Sequence, residues 1–122
     1  MMNALVIDDS RANLLVTGNF MRGIGYKVTE VPGGYEGLKC VEGQTKFNVI
    51  LVDRDMPGMD GIEFIRRVRA METMSKVPII MITGQNSPEM IEAALNAGAN
   101  EFVMKPLTGE ALSSKLHLLG VS

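Results

Sequence analysis

Three short apolar runs without polar alternation constrain this chain more than any other feature. They are Ala4-Leu5-Val6-Ile7, Val49-Ile50-Leu51-Val52 and Val77-Pro78-Ile79-Ile80-Met81-Ile82. A strand with one wet face alternates apolar and polar residues, whereas a strand covered on both faces cannot. Two weaker runs, Val28-Thr29-Glu30-Val31 and Phe102-Val103-Met104, complete a set of five. The segments between them carry helical periodicity: Ile62, Ile65 and Val68, with Phe64 and Met71 on the flank; Ile91, Ala94, Leu95 and Gly98; Leu112, Leu116 and Leu119. Helix starts are marked by Ser10, by Asp60-Gly61-Ile62-Glu63 as an acidic capping box, by Ser87-Pro88, and by Thr108. Five β-α units of this size predict an α/β fold with a parallel sheet and right-handed crossovers.

The length, 122 residues, fits one domain with its own core, so residues 1–122 are expected to form a single unit. With 46% hydrophobic residues the chain is too apolar for a disordered segment. No apolar run approaches the ~20 residues of a membrane span. A net charge of -2 argues against a dedicated nucleic-acid binder. Cys40 is the only cysteine, which excludes an internal disulfide and a cysteine zinc site. Met1-Met2-Asn3-Ala4 has neither the basic nor the apolar region of a secretory signal, so a cytoplasmic location is expected.

Ligands of open α/β sheets bind beyond the carboxyl ends of the strands. The first run ends in Asp8-Asp9, the third in Asp53, the fourth in Thr83-Gly84 and the fifth in Lys105-Pro106. The segment Asp53-Arg54-Asp55-Met56-Pro57-Gly58-Met59-Asp60-Gly61 adds a carboxylate, Asp55. Crowded carboxylates repel unless a cation joins them, and oxygen ligands suit Mg²⁺. A carboxylate can also act as a nucleophile and become an aspartyl-phosphate. The developing phosphoryl charge would then need an ammonium and a hydroxyl, which Lys105 and Thr83 supply.

In order and position these elements resemble the response-regulator receiver domain of two-component signalling. The acidic pair, the Asp with its Met-Pro and Asp-Gly turn, the Thr followed by a small residue, and the Lys-Pro all match. The resemblance covers essentially the whole chain. It implies the flavodoxin-like strand order 2-1-3-4-5 and a phosphorylation-activated switch. Asp53 would accept a phosphoryl group from a histidine kinase or a histidine phosphotransfer protein. Mg²⁺ (or Mn²⁺) would bind Asp9 and Asp53 with the Asp55 carbonyl, and Asp8 through water. Lys105 and Thr83 would contact the phosphoryl group, with Gly84 leaving the approach open. Phe102 would turn inward as Thr83 moves, and a cis bond would precede Pro106. Asp55 and Gln85 would tune the phosphoryl lifetime. The fourth helix, fifth strand and fifth helix would signal to an effector protein or output domain, with no direct nucleic-acid or membrane contact. The domain would act as a monomer or a phosphorylation-dependent dimer, and catalyse only its own phosphorylation and slow dephosphorylation.

The Asp53-Arg54-Asp55 triplet is also similar to the DxD of haloacid-dehalogenase-type phosphatases. In that family the nucleophile strand comes first and the acidic pair last, the reverse of the order here, and the chain is short for such a core and cap. A receiver-like interaction module that takes no phosphate is opposed by the full set Asp8, Asp9, Asp53, Thr83 and Lys105. Other residues are expected to be structural. Arg66, Arg67 and Arg69 read as a solvated face, Met81 and Met104 as core fillers, Cys40 as a packing residue and His117 as a surface residue.

Overall fold

The computed structural model describes residues 2–121. Five strands alternate with five helices: β1 (Asn3–Ile7), α1 (Arg11–Gly23), β2 (Lys27–Val31), α2 (Gly34–Glu42), β3 (Val49–Asp53), α3 (Gly61–Ala70), β4 (Ile79–Thr83), α4 (Pro88–Ala97), β5 (Glu101–Met104) and α5 (Gly109–Leu118). A single 3-10 turn at Glu72–Met74 follows α3. All strand pairs are parallel and the order is β2-β1-β3-β4-β5. The fold is the flavodoxin-like one, with the strands as the apolar runs place them. The fourth begins two residues later than its run, because Val77 and Pro78 precede the ladder.

Burial explains the missing alternation. Every residue of β3 and β4 is buried, as is β1 after Asn3, while β2 and β5 form the half-exposed edges. Successive side chains of a strand point to opposite faces. Leu5, Ile7, Ile50, Val52, Ile79 and Met81 therefore face a layer built from Leu38, Phe64, Ile65, Val68, Ala94 and Ala97. Ala4, Val6, Val49, Leu51, Ile80 and Ile82 face Leu14, Met21, Leu112 and Leu116 on the other side. Helices α2, α3 and α4 thus cover one face, and α1 and α5 the other.

The four marked helix starts form caps. Ser10, Asp60, Ser87 and Thr108 accept hydrogen bonds from the backbone N–H of Asn13, Glu63, Met90 and Ala111. Only half of the capping box at α3 is made. The Glu63 carboxylate turns instead to Arg67, at 2.9 Å, one helical turn on.

Four expectations need correction. On α4 the buried face is Ala94 and Ala97, while Leu95 is 48% exposed. Gly98 is no part of a stripe: it ends α4 in a left-handed conformation, φ 119°. Met104 is half-buried, unlike the fully buried Met81. Arg69 does not belong to a solvated face. Its guanidinium donates to the carbonyls of Gly98 (3.0 Å) and Met74 (3.1 Å) and to Asn100 Oδ1 (2.8 Å). The same Asn100 oxygen accepts the Ile79 N–H at 2.8 Å. One arginine thus ties the ends of α3 and α4 to the start of β4, and burial lowers its pKa. Arg66 and Arg67 are exposed, as is His117, and Cys40 packs half-buried against the α2–α3 core layer.

Candidate phosphoryl-transfer site

Strand register gathers the polar residues. Ile7 pairs with Val52, so Asp8 lies level with Asp53 at the ends of β1 and β3. Asp53 pairs with Ile82 and Thr83 with Met104, which places Thr83 one step and Lys105 two steps further along the same rim. The Lys105 N–H donates to the Thr83 carbonyl at 2.8 Å. The Lys105–Pro106 peptide bond is cis.

Burying polar groups costs free energy unless they are paired or functional. Among the described residues only Asp8, Thr17, Asp53 and Thr83 are buried polar or charged side chains, with 4%, 3%, 1% and 1% exposure. Three of these four belong to the rim. One carboxylate oxygen each from Asp8, Asp9 and Asp53 lie within 4.8 Å of one another, with Asp9 exposed to solvent. Lys105 Nζ is 2.6 Å from Asp53 Oδ1, at ion-pair distance. No hydrogen-bond donor among the described residues is aligned on that oxygen. Asp8 accepts the Ser10 N–H at 2.9 Å.

The electrostatics follow from burial. Desolvation pushes the Asp53 pKa above the usual carboxylate range; the Lys105 contact opposes it, and the charges of Asp8 and Asp55 add to it. Asp8 is raised for the same leading reason, against the opposing Ser10 N–H. Burial alone would lower the Lys105 pKa, but the contact with Asp53 and the field of Asp8 and Asp55 leave it raised. The buried Asp53 carboxylate, grouped with carboxylate oxygens of Asp8 and Asp9, fits a hard divalent cation.

The turn after β3 is built around a close approach. A Cβ on Gly61 would lie 2.6 Å from the Asp53 carbonyl oxygen and 2.9 Å from the Arg54 Cα. The Gly61 N–H donates to the Arg54 carbonyl at 2.9 Å. Gly61 is therefore what lets α3 begin directly against the strand that ends in Asp53.

The remaining predicted residues lie around this centre. The Thr83 hydroxyl is engaged by Gln85, accepting its N–H at 3.0 Å and donating to its carbonyl at 3.2 Å. Gly84 is exposed and borders open space. Phe102 is half-buried on β5, with Lys115 Nζ 5.5 Å from its ring centroid. The Asp55 side chain stands outside the carboxylate group, 60% exposed and 3.0 Å from the Arg54 guanidinium. Sequence reasoning missed the α1 wall. Asn13, Val16 and Thr17 line a cavity of about 250 Å³ with Asp8, Lys105 and Pro106. Their spacing, one helical turn, was the available signal.

A buried acidic group on such a rim, opposed by a lysine and a threonine, has the chemistry to accept a phosphoryl group. The family model described as the response regulator receiver domain matches residues 4–117. The chain is 33% identical over 119 residues to the chemotaxis protein CheY1 of Helicobacter pylori strain J99, covering 97% of this chain and 96% of the relative. It is 33% identical over 117 residues to the chemotaxis protein CheY of Pseudomonas aeruginosa, covering 95% and 94%. The chemotaxis protein CheY4 of Vibrio cholerae superposes with a TM-score of 0.91 at 31% identity, covering 97% of this chain and 98% of that one. The receiver domain of a Pseudomonas aeruginosa sensor histidine kinase, solved with a magnesium ion in its active-site cleft, superposes with a TM-score of 0.87 at 32% identity, covering 96% and 95%.

This chain belongs to the response-regulator receiver family, in its CheY-like form. Receiver domains are signalling switches rather than enzymes of metabolism, and membership implies phosphorylation-dependent signalling. They bind Mg²⁺ at an acidic pocket, the place held here by Asp8, Asp9 and Asp53. No helix among the described residues is long and apolar enough to cross a membrane.

Proposed function

We propose that residues 1–122 form one receiver domain that is phosphorylated on Asp53 by a histidine kinase or histidine phosphotransfer protein. The observation that carries this reading is the buried Asp53 carboxylate at the end of a central strand, 2.6 Å from Lys105 and grouped with Asp8 and Asp9. An Asp53 oxygen attacks phosphorus, the P–N bond to the donor imidazole breaks, and the imidazole leaves with that electron pair. Asp9 and Asp53, with the Asp55 carbonyl, would hold Mg²⁺, and Asp8 would act through bound water. When bound, the cation supplies charge neutralisation for the transferred group.

Lys105 passes from the Asp53 carboxylate to a phosphoryl oxygen. Thr83 exchanges its Gln85 partners for the phosphoryl group, and Gly84 keeps that approach open. Phe102 then turns toward the space Thr83 leaves, away from the Lys115 ammonium. The switched face is α4, β5 and α5, and it controls an effector protein or output domain. Asp55 and Gln85, at the mouth of the site, set the phosphoryl half-life through water access. The domain works as a monomer or a phosphorylation-dependent dimer, in the cytoplasm.

Beryllofluoride with Mg²⁺ mimics the phosphorylated carboxylate and tests the reading. Amide resonances of Asp53, Thr83, Gln85 and Lys105 should shift in the wild type and stay in place in Asp53→Ala. A wild-type spectrum unchanged by the additive contradicts the proposal.

A further inference from the structure

Asp55 is the carboxylate that the sequence collects at the site and the structure holds apart. In extended chain, adjacent side chains diverge. Here the backbone bends at Arg54, just past β3, and brings the guanidinium to 3.0 Å from the Asp55 carboxylate. Arg54 is well placed to hold it. Its N–H donates to the Ile82 carbonyl and its carbonyl accepts the Gly61 N–H, both at 2.9 Å. Its side chain is only 21% exposed. An exposed ion pair usually contributes little, because two mobile side chains must be ordered. Here the arginine backbone is already fixed and its side chain mostly covered.

The consequence lies at the cation site. Asp9, the exposed member of the carboxylate group, leaves the rim open to solvent on its side. Asp55 lies two residues beyond Asp53, in the turn whose Asp55 carbonyl is assigned above to the cation. A freed Asp55 carboxylate would add a further anionic oxygen to the rim, whereas Mg²⁺ in sites of this kind uses few protein carboxylates and keeps room for water and phosphate.

We propose that Arg54 is a positioning residue for the phosphorylation site: its guanidinium holds the Asp55 side chain out of the Mg²⁺ position and keeps a coordination place free for the phosphodonor. This rests on the receiver reading given above.

The test is calorimetric titration of Mg²⁺ alone into the full chain, since the protein has no Trp to report binding by fluorescence. Arg54→Ala should bind Mg²⁺ about threefold more tightly than wild type. In an Asp55→Asn background the same substitution should leave the affinity unchanged. Arg54→Gln keeps much of the stem without the charge and should repeat both results, which guards against a misfolded alanine variant. Beryllofluoride uptake at saturating Mg²⁺ should be weaker in Arg54→Ala than in wild type. Equal Mg²⁺ affinity in wild type and Arg54→Ala overturns the clamp. So does an equal gain in both backgrounds, which would be the simple field of a lost cation. A wild type that binds no Mg²⁺ overturns the receiver reading and the clamp together, so the two failures are distinguishable.

Discussion

At the scale of single residues the site is held against its own electrostatics. Asp8 and Asp53 are buried side by side with raised pKa values, so ionising them opposes folding when no cation is present. A carboxyl whose folded pKa lies above its unfolded value contributes most below the unfolded value, 3.8 here. That contribution is lost as pH rises through the folded pKa. Asp8→Asn should therefore be more stable than wild type at neutral pH without Mg²⁺. The difference should shrink toward zero as pH falls to the unfolded value. Adding Mg²⁺ should raise the wild-type melting temperature and raise that of the variant by less. Denaturant titrations at several pH values, with and without the metal, check both signs. Gly61 is the other decisive residue. A methyl group there meets backbone, which cannot swing aside, so Gly61→Ala should cost about 2 kcal/mol and displace the Asp53 turn. Urea unfolding measures the first effect and Asp53 amide shifts the second.

At the scale of elements, the central strands could be read from sequence because burial on both faces leaves only apolar residues. The helix starts were legible for a local reason: a cap and its N–H partner lie three residues apart. What escaped is long-range. Arg69 stands in an arginine-rich stretch that looks solvated, and its partners Gly98 and Asn100 are 29 and 31 residues away. Apolar periodicity puts Leu95 on the core side of α4, whereas the small residues Ala94 and Ala97, not the larger leucine, meet the core. The acidic rim was legible because each strand end carries its own polar residue. The Arg54–Asp55 pairing was not, because it depends on a bend that no pattern marks. Arg69→Ala removes three hydrogen bonds and strands Met74 and Gly98 carbonyls; it should destabilise the domain by about 2–3 kcal/mol. Arg67→Ala, on the exposed face of the same helix, should cost under about 0.5 kcal/mol. Thermal unfolding of the pair separates the two roles.

At the scale of the whole molecule, the strand order sets the β5 edge, which α4 and α5 adjoin from opposite faces, apart from the β2 edge. Thr83 leads through an exposed segment, Gly84 to Asn86, into α4, while β5 carries Phe102 and ends just before Lys105. Activation should therefore change α4, β5 and α5 and leave β2 and α2 close to their resting state. Amide shifts induced by beryllofluoride, mapped along the chain, should concentrate from Thr83 to Lys115. The proposed role of this architecture is to place a phosphoryl group on Asp53. The most direct measurement is the intact mass of the protein after acetyl phosphate and Mg²⁺, in wild type and Asp53→Ala. One added phosphoryl group is expected in the wild type, none when Mg²⁺ is chelated before the donor is added, and none in the variant. No added mass in the wild type, or the same addition in both proteins, would contradict it.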